Sequence, residues 1–232
     1  MKTNIGKISL ISLFLLTAAL PMAAQSRYLD DGIGGSSFGI RTLTDDTGVY
    51  SVGLSASYSI GGIMDFGFRL ARETGTLETY DKTEWNYSFL YNLIVIKQAD
   101  LIPFSFQLEG SYGYTNVSSV YLDGNSLTQN SQGFDVAGSL FRLFNSESSY
   151  PFLLGAKGKY KNYVLNQYDN TSGIPVLDSS RRNEDLMYGG IASLSYKMDQ
   201  GPLFTLEVEA LYNQTSEKFV VESSLLFTSP SF

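Results

Sequence analysis

Two sets of ionisable side chains recur at a spacing of two along this chain: Lys157, Lys159 and Lys161, and Glu207 and Glu209. On an extended backbone that spacing puts side chains on one face. Each set is then a row of like charges that calls for the opposite sign beside it. A carboxylate pair also has the means for acid–base work, with one member protonated and the other ionised. The rest of the chain does not support such a reaction. It contains no histidine and no cysteine, so neither imidazole proton transfer nor thiol attack is available. Two glutamates two apart on one strand are more simply a structural charge row, and no enzyme is expected. Leu122-Asp123-Gly124-Asn125 has part of a calcium-loop pattern, and Asp178 to Asp185 gathers acids around Arg181 and Arg182. Neither loop offers enough oxygen ligands for a hard cation, so no metal or cofactor is expected. Asn116-Val117-Ser118 and Asn170-Thr171-Ser172 match the glycosylation acceptor pattern, which recurs by chance. A net charge of −7 removes any basic footprint for nucleic acid.

These charged rows must be held by strands. From Tyr50 to Ile60 the even positions are Tyr, Val, Leu, Ala, Tyr and Ile, while the odd ones are Ser, Gly, Ser, Ser and Ser. That is the period of a β-strand with one apolar face and one small, polar face. Similar alternation predicts ten strands: 36–42, 50–60, 64–72, 84–95, 101–115, 134–144, 152–163, 186–198, 203–212 and 218–228. Between Ile60 and Met64 the apolar face stays on even numbers, which requires an odd-length turn; Gly61-Gly62-Ile63 supplies three residues and a glycine for positive φ.

Ahead of the strands lie Lys2 and Lys7, an apolar stretch from Ile8 to Leu20, and Pro21-Met22-Ala23-Ala24. This basic, apolar, small-residue order is that of a secretory signal peptide, too short to span a bilayer, with cleavage expected after Ala24. Residues 1–24 are thus read as leader, 25–35 as a periplasmic segment, and 36–232 as one all-β domain. No later segment approaches the ~18 consecutive apolar residues of a transmembrane helix.

The connections alternate in length. They are short at 61–63, 96–100, 145–150 and 199–202, and long and polar at 73–83, 116–132 and 164–185. Outward aromatics gather at both strand ends, among them Tyr50, Trp85, Tyr114 and Tyr188 at one and Tyr58, Tyr91, Phe204 and Phe227 at the other. Two aromatic girdles flanking an apolar band are the mark of strands that cross a bilayer.

In these features the chain resembles the small bacterial outer-membrane β-barrel proteins as a broad class. The resemblance covers 36–232 and includes the terminal Phe232, although the last strand turns odd positions outward and Phe232 is even. It implies a closed antiparallel transmembrane β-barrel of ten strands, eight being the alternative count. It also implies outer-membrane residence with both termini periplasmic, outer-membrane lipid as solvent, and recognition of the final strand by the barrel-assembly machinery.

Within such a barrel the small, polar rows line the lumen. Arg41, Arg69, Lys157, Lys159, Lys161 and Lys197 then face Asp65, Glu84, Glu109, Asp135, Glu207, Glu209 and Glu222. Mixed signs in an enclosed space call for internal pairing, because a lone buried charge is costly. Strand phase puts Asp135 near Lys161, Ala137 near Lys159, and Glu209 beside Glu222; that acidic pair requires a cation from Lys157, Lys159 or Arg41. Toward the short turns the inward set becomes apolar: Ile94, Phe141, Leu143, Leu153, Leu203 and Leu226. The expectation is a side-chain-filled lumen over an apolar floor, with long outer loops serving a structural or surface-interaction role and an unknown ligand. The alternative is a narrow porin-like channel or transporter for small solutes, favoured by the Ser- and Gly-rich walls; a channel for apolar ligands fits the charged interior poorly.

Overall fold

The computed structural model describes residues 26–29, 32–45, 50–77, 80–121, 126–169, 176–198 and 202–231. After a 3-10 turn at Ser26–Tyr28 come ten strands: β1 (Gly34–Asp45), β2 (Tyr50–Ile60), β3 (Met64–Leu77), β4 (Tyr80–Ile96), β5 (Ser105–Tyr121), β6 (Ser126–Phe144), β7 (Phe152–Asp169), β8 (Val176–Lys197), β9 (Leu203–Asn213) and β10 (Lys218–Ser231). Each pairs antiparallel with its sequence neighbour, and β1 closes on β10 from Gly34↔Ser231 to Asp45↔Val220. The result is a closed meander without a free edge around its circumference. No described helix is long and apolar enough to cross a membrane.

Alternation decides which row faces out. In β2 the even residues are exposed and, apart from Ser57, the odd ones are buried, with Ser59 fully covered. In β9 the pattern is the same through Phe204, Leu206 and Val208 outward and Thr205, Glu207 and Glu209 inward. The outer surface is therefore a continuous apolar band, an arrangement a water-solvated protein does not sustain. Rings pair across strands at both of its margins: Tyr188, Tyr212 and Phe219 at one, with centroids 5.8 and 5.2 Å apart, and Phe204–Phe227 at 5.0 Å at the other. The β2–β3 turn places Ile60 opposite Met64, and Gly61 and Gly62 adopt φ of 61° and 65°, where a side chain would be strained.

The strand count matches the alternation, but several boundaries differ. β5 begins at Ser105 rather than at Leu101, because Ala99 and Ile102 form a bridge within the turn. The segments 73–83, 116–132 and 164–185, expected as long loops, are mostly ladder: β5 and β6 stay paired up to Val120↔Ser126 and β7 and β8 up to Asp169↔Val176. Polar residues predominate in these extensions, Ser, Thr, Asn and Gln together with the charged Asp178, Arg181, Arg182, Glu184 and Asp185 of β8. They pair as backbone as well as any residue, yet they lack the apolar alternation that marks a lipid-facing strand. By contrast the β9–β10 and β1–β2 hairpins end near the aromatic margin, at Asn213/Lys218 and Asp45/Tyr50. The rim is therefore stepped, high along β5–β8 and low along β9, β10, β1 and β2. Phe232 lies outside the described residues.

Phe89 is half-exposed in the middle of the apolar row from Trp85 to Val95. Phe89→Arg should destabilise the barrel by about 2–4 kcal/mol if hydrocarbon solvates this face. Unfolding by denaturant in phospholipid vesicles measures it; a change within about 0.5 kcal/mol, normal for a water-facing position, would contradict a lipid-facing band.

Candidate functional site

The lumen divides into a charged layer over an apolar one. In the upper layer Lys157 of β7 bridges Glu109 of β5 at 2.6 Å and Glu209 of β9 at 2.7 Å. Arg41 of β1 pairs across the closing seam with Glu222 of β10, and Arg69 of β3 stands 3.7 Å from the same carboxylate. Lys159 holds Asp135 at 2.8 Å. The register explains these choices. Asp135 is directly opposite Lys161 and Ala137 opposite Lys159, so the Asp135–Lys159 bond is a diagonal one, while Lys161 lies over the Tyr163 ring at 4.7 Å. Glu222 and Glu209 are directly opposed, and each takes a different cation: Arg41 for the former, Lys157 for the latter. Asp65 is buried, and Asn92 donates to it at 3.4 Å.

One member was not legible from alternation. Within 25–35, read from sequence as a periplasmic N-terminal segment, Arg27–Leu29 lies in the lumen, and the ladder begins at Gly34. The Arg27 guanidinium donates to Gln107 at 2.6 Å, Glu207 at 2.6 Å and Glu109 at 2.9 Å. Its planar fork satisfies three acceptors from two strands at once. The same group sits 5.5 Å from the Phe141 ring centroid. Tyr28 shares a hydrogen bond with Ser193 of β8. The carbonyl of Leu29 accepts from the Lys97 ammonium at 2.7 Å, and Gly32 N–H bonds Gly61 at 3.0 Å, where the chain passes the short-turn end.

Burial of all these charges is tolerable because they are paired. A cavity of about 70 Å³ lies among Arg27, Arg41, Arg69, Lys157 and Lys159 and the acids Glu109, Asp135, Glu207, Glu209 and Glu222. Five cations thus meet five carboxylates, and Arg27 completes the balance. Both members of the Glu207–Glu209 row are in ion pairs, Glu207 with Arg27 and Glu209 with Lys157.

Below this layer the wall turns apolar. Phe141, Leu153 and Ile191 form a buried cluster, against which Tyr28 and Leu143 pack. Ile94, Leu203, Leu226 and Leu29 are buried as well. Ile191 and Leu29 join the six positions marked by sequence; Ile191 escapes notice because it follows Gly189-Gly190 in a row otherwise of small residues. Gln98 caps the layer from the β4–β5 turn, its amide exchanging two 2.9 Å bonds with the backbone of Leu143.

Replacing Lys157 by Met leaves Glu209 without its cation at an 8 % exposed site. The expected loss is about 3–5 kcal/mol, the cost of stranding one partner of a buried pair. Adding Glu209→Gln should restore part of it, which a double-mutant cycle by denaturant unfolding measures.

No protein-family model matches the chain, and no curated protein matches it either. Among solved structures, the translocator domain of autotransporter NalP from Neisseria meningitidis superposes with a TM-score of 0.54 at 9 % identity, covering 85 % of this chain and 87 % of that one. Neisserial surface protein A gives 0.37 at 12 % identity over 85 % and 94 %, and the KdgM porin 0.29 at 14 % over 84 % and 99 %. At such identities the likeness is one of fold: this chain is a closed ten-stranded antiparallel barrel, and the translocator domain superposes on it as a barrel.

Proposed function

We propose that the protein resides in a bacterial outer membrane as a closed barrel and works through its outer face, in a structural or surface-interaction role. The observation that supports closure is the segment Arg27–Leu29 bound inside a neutral lumen over an apolar layer. The stepped rim supports the outward role. β5 to β8 continue past the aromatic margin as a paired, polar sheet, and binding residues typically sit on extensions held by a rigid scaffold. An Asn ladder stiffens it, with Asn166 donating to Asn130 at 3.1 Å and Asn130 to the Tyr168 hydroxyl at 3.1 Å. The leader-like residues 1–24 and an even strand number fit delivery across the inner membrane and termini on the periplasmic side. Outward Leu225 and Phe227 on the last strand fit its capture by the assembly machinery.

Two measurements test this. In planar bilayers the purified wild-type protein should be electrically silent; steady conductance would favour the narrow solute channel. The chain has no cysteine, so single ones report cleanly. With a membrane-impermeant maleimide on intact cells, Ser180→Cys on the β8 extension should be labelled and Ser146→Cys in the β6–β7 turn should not. The opposite pattern would invert the barrel.

A further inference from the structure

Arg27–Leu29 lies inside the lumen without being part of the barrel wall. We propose that the barrel is a passage for small cations, held shut by its own Arg27–Leu29. The proposal rests on the closed resting lumen above and adds what lies behind the closure.

An eight-stranded barrel is about the size that inward side chains fill unaided, and ten strands enclose more. Here the inward row of β2 is wholly Ser and Gly, so the wall on that side reaches little way toward the axis. Arg27 takes up space nearer β5, β6 and β9, and it and Leu29 are almost fully buried. Among the described residues, Arg27–Leu29 hydrogen-bonds the side chains of Gln107, Glu109, Glu207, Ser193 and Ser195 in the wall and the Lys97 ammonium in the β4–β5 turn. The segment forms no rung of the ladder, so it can leave while all ten strand pairings stay intact.

Its departure changes the charge of the lumen. With Arg27 in place cations and carboxylates balance; without it the carboxylates exceed the cations by one, and the excess sits at Glu207, whose ion-pair partner is Arg27. A narrow passage with low-dielectric walls and surplus negative charge concentrates cations and repels anions. The element that blocks the path therefore also cancels the charge that would select the permeant ion.

The test compares wild type, the triple variant R27A/Y28A/L29A, and that triple with Glu207→Gln added, in planar bilayers under a KCl gradient. Wild type should be silent. The triple variant should conduct steadily, with its reversal potential shifted toward the potassium equilibrium value, and Glu207→Gln should move that potential back toward zero. A folded triple variant that stays silent, judged by strand circular dichroism and protease resistance, would show that the wall closes itself and would overturn the proposal. So would conductance that favours chloride or ignores Glu207→Gln. Conductance from wild type would instead remove the closed-lumen reading on which the proposal stands. If the triple variant does not fold, R27A alone serves: brief openings are expected, and a folded but silent R27A overturns the proposal.

Discussion

In hydrocarbon there is no water to bond a stray amide, so every backbone N–H and C=O that enters the bilayer must find its partner within the protein. For a chain built of strands the solution is a sheet that meets its own beginning. The β1–β10 seam, from Gly34↔Ser231 to Asp45↔Val220, meets that demand, and much else follows from it. Closure gives the sheet an inside, and strand alternation then sorts residues into a lipid row and an enclosed row with no third choice. Leu54, Phe89 and Leu206 can be exposed and apolar because the solvent on that side is apolar.

The enclosed side carries the opposite burden. Glu109, Glu207, Glu209 and Glu222 are removed from bulk water, where an isolated carboxylate would be strongly disfavoured. Shared cations answer this: Lys157 serves two acids, Arg27 two, and Glu222 receives two arginines. Such pairing is weak evidence for stability in itself, since desolvation offsets much of the attraction. Its stronger effect is on geometry. Seven strands and the segment ahead of β1 send charged side chains into one small volume, which fixes those side chains relative to one another.

The barrel was readable from residue order because its two solvents impose a period of two, and Tyr50 to Ile60 displays it without interruption. Register came from the same source. The Glu209–Glu222 opposition depends only on phase and turn length, both visible in the chain, whereas the cation for it stayed open among Lys157, Lys159 and Arg41 because no turn joins β1 to β10. Arg27 left no comparable trace. It belongs to no alternating run, and its three acceptors lie 80 to 180 residues away, so nothing local announces them. A faint sign was present in the inward charges, where acids exceeded bases by one before Arg27 was counted. The extensions of β5 to β8 were missed for a different reason. Above the bilayer both faces of a strand meet water, the period loses its cause, and Asn130 or Ser180 reads as loop.

The stepped rim makes the barrel's outer profile lopsided. β8 runs on from Met187, level with the end of β9, to Val176, about 35 Å of extended chain. On that side the sheet stands as a screen over the headgroups and holds any bulky approaching body away from the lipid. On the side of β10 and β1 no described residue stands at a similar height, so the same body can settle against the bilayer. Neighbours sharing the membrane plane would thus meet two unlike flanks, and crowding would tend to orient the molecule about its own axis.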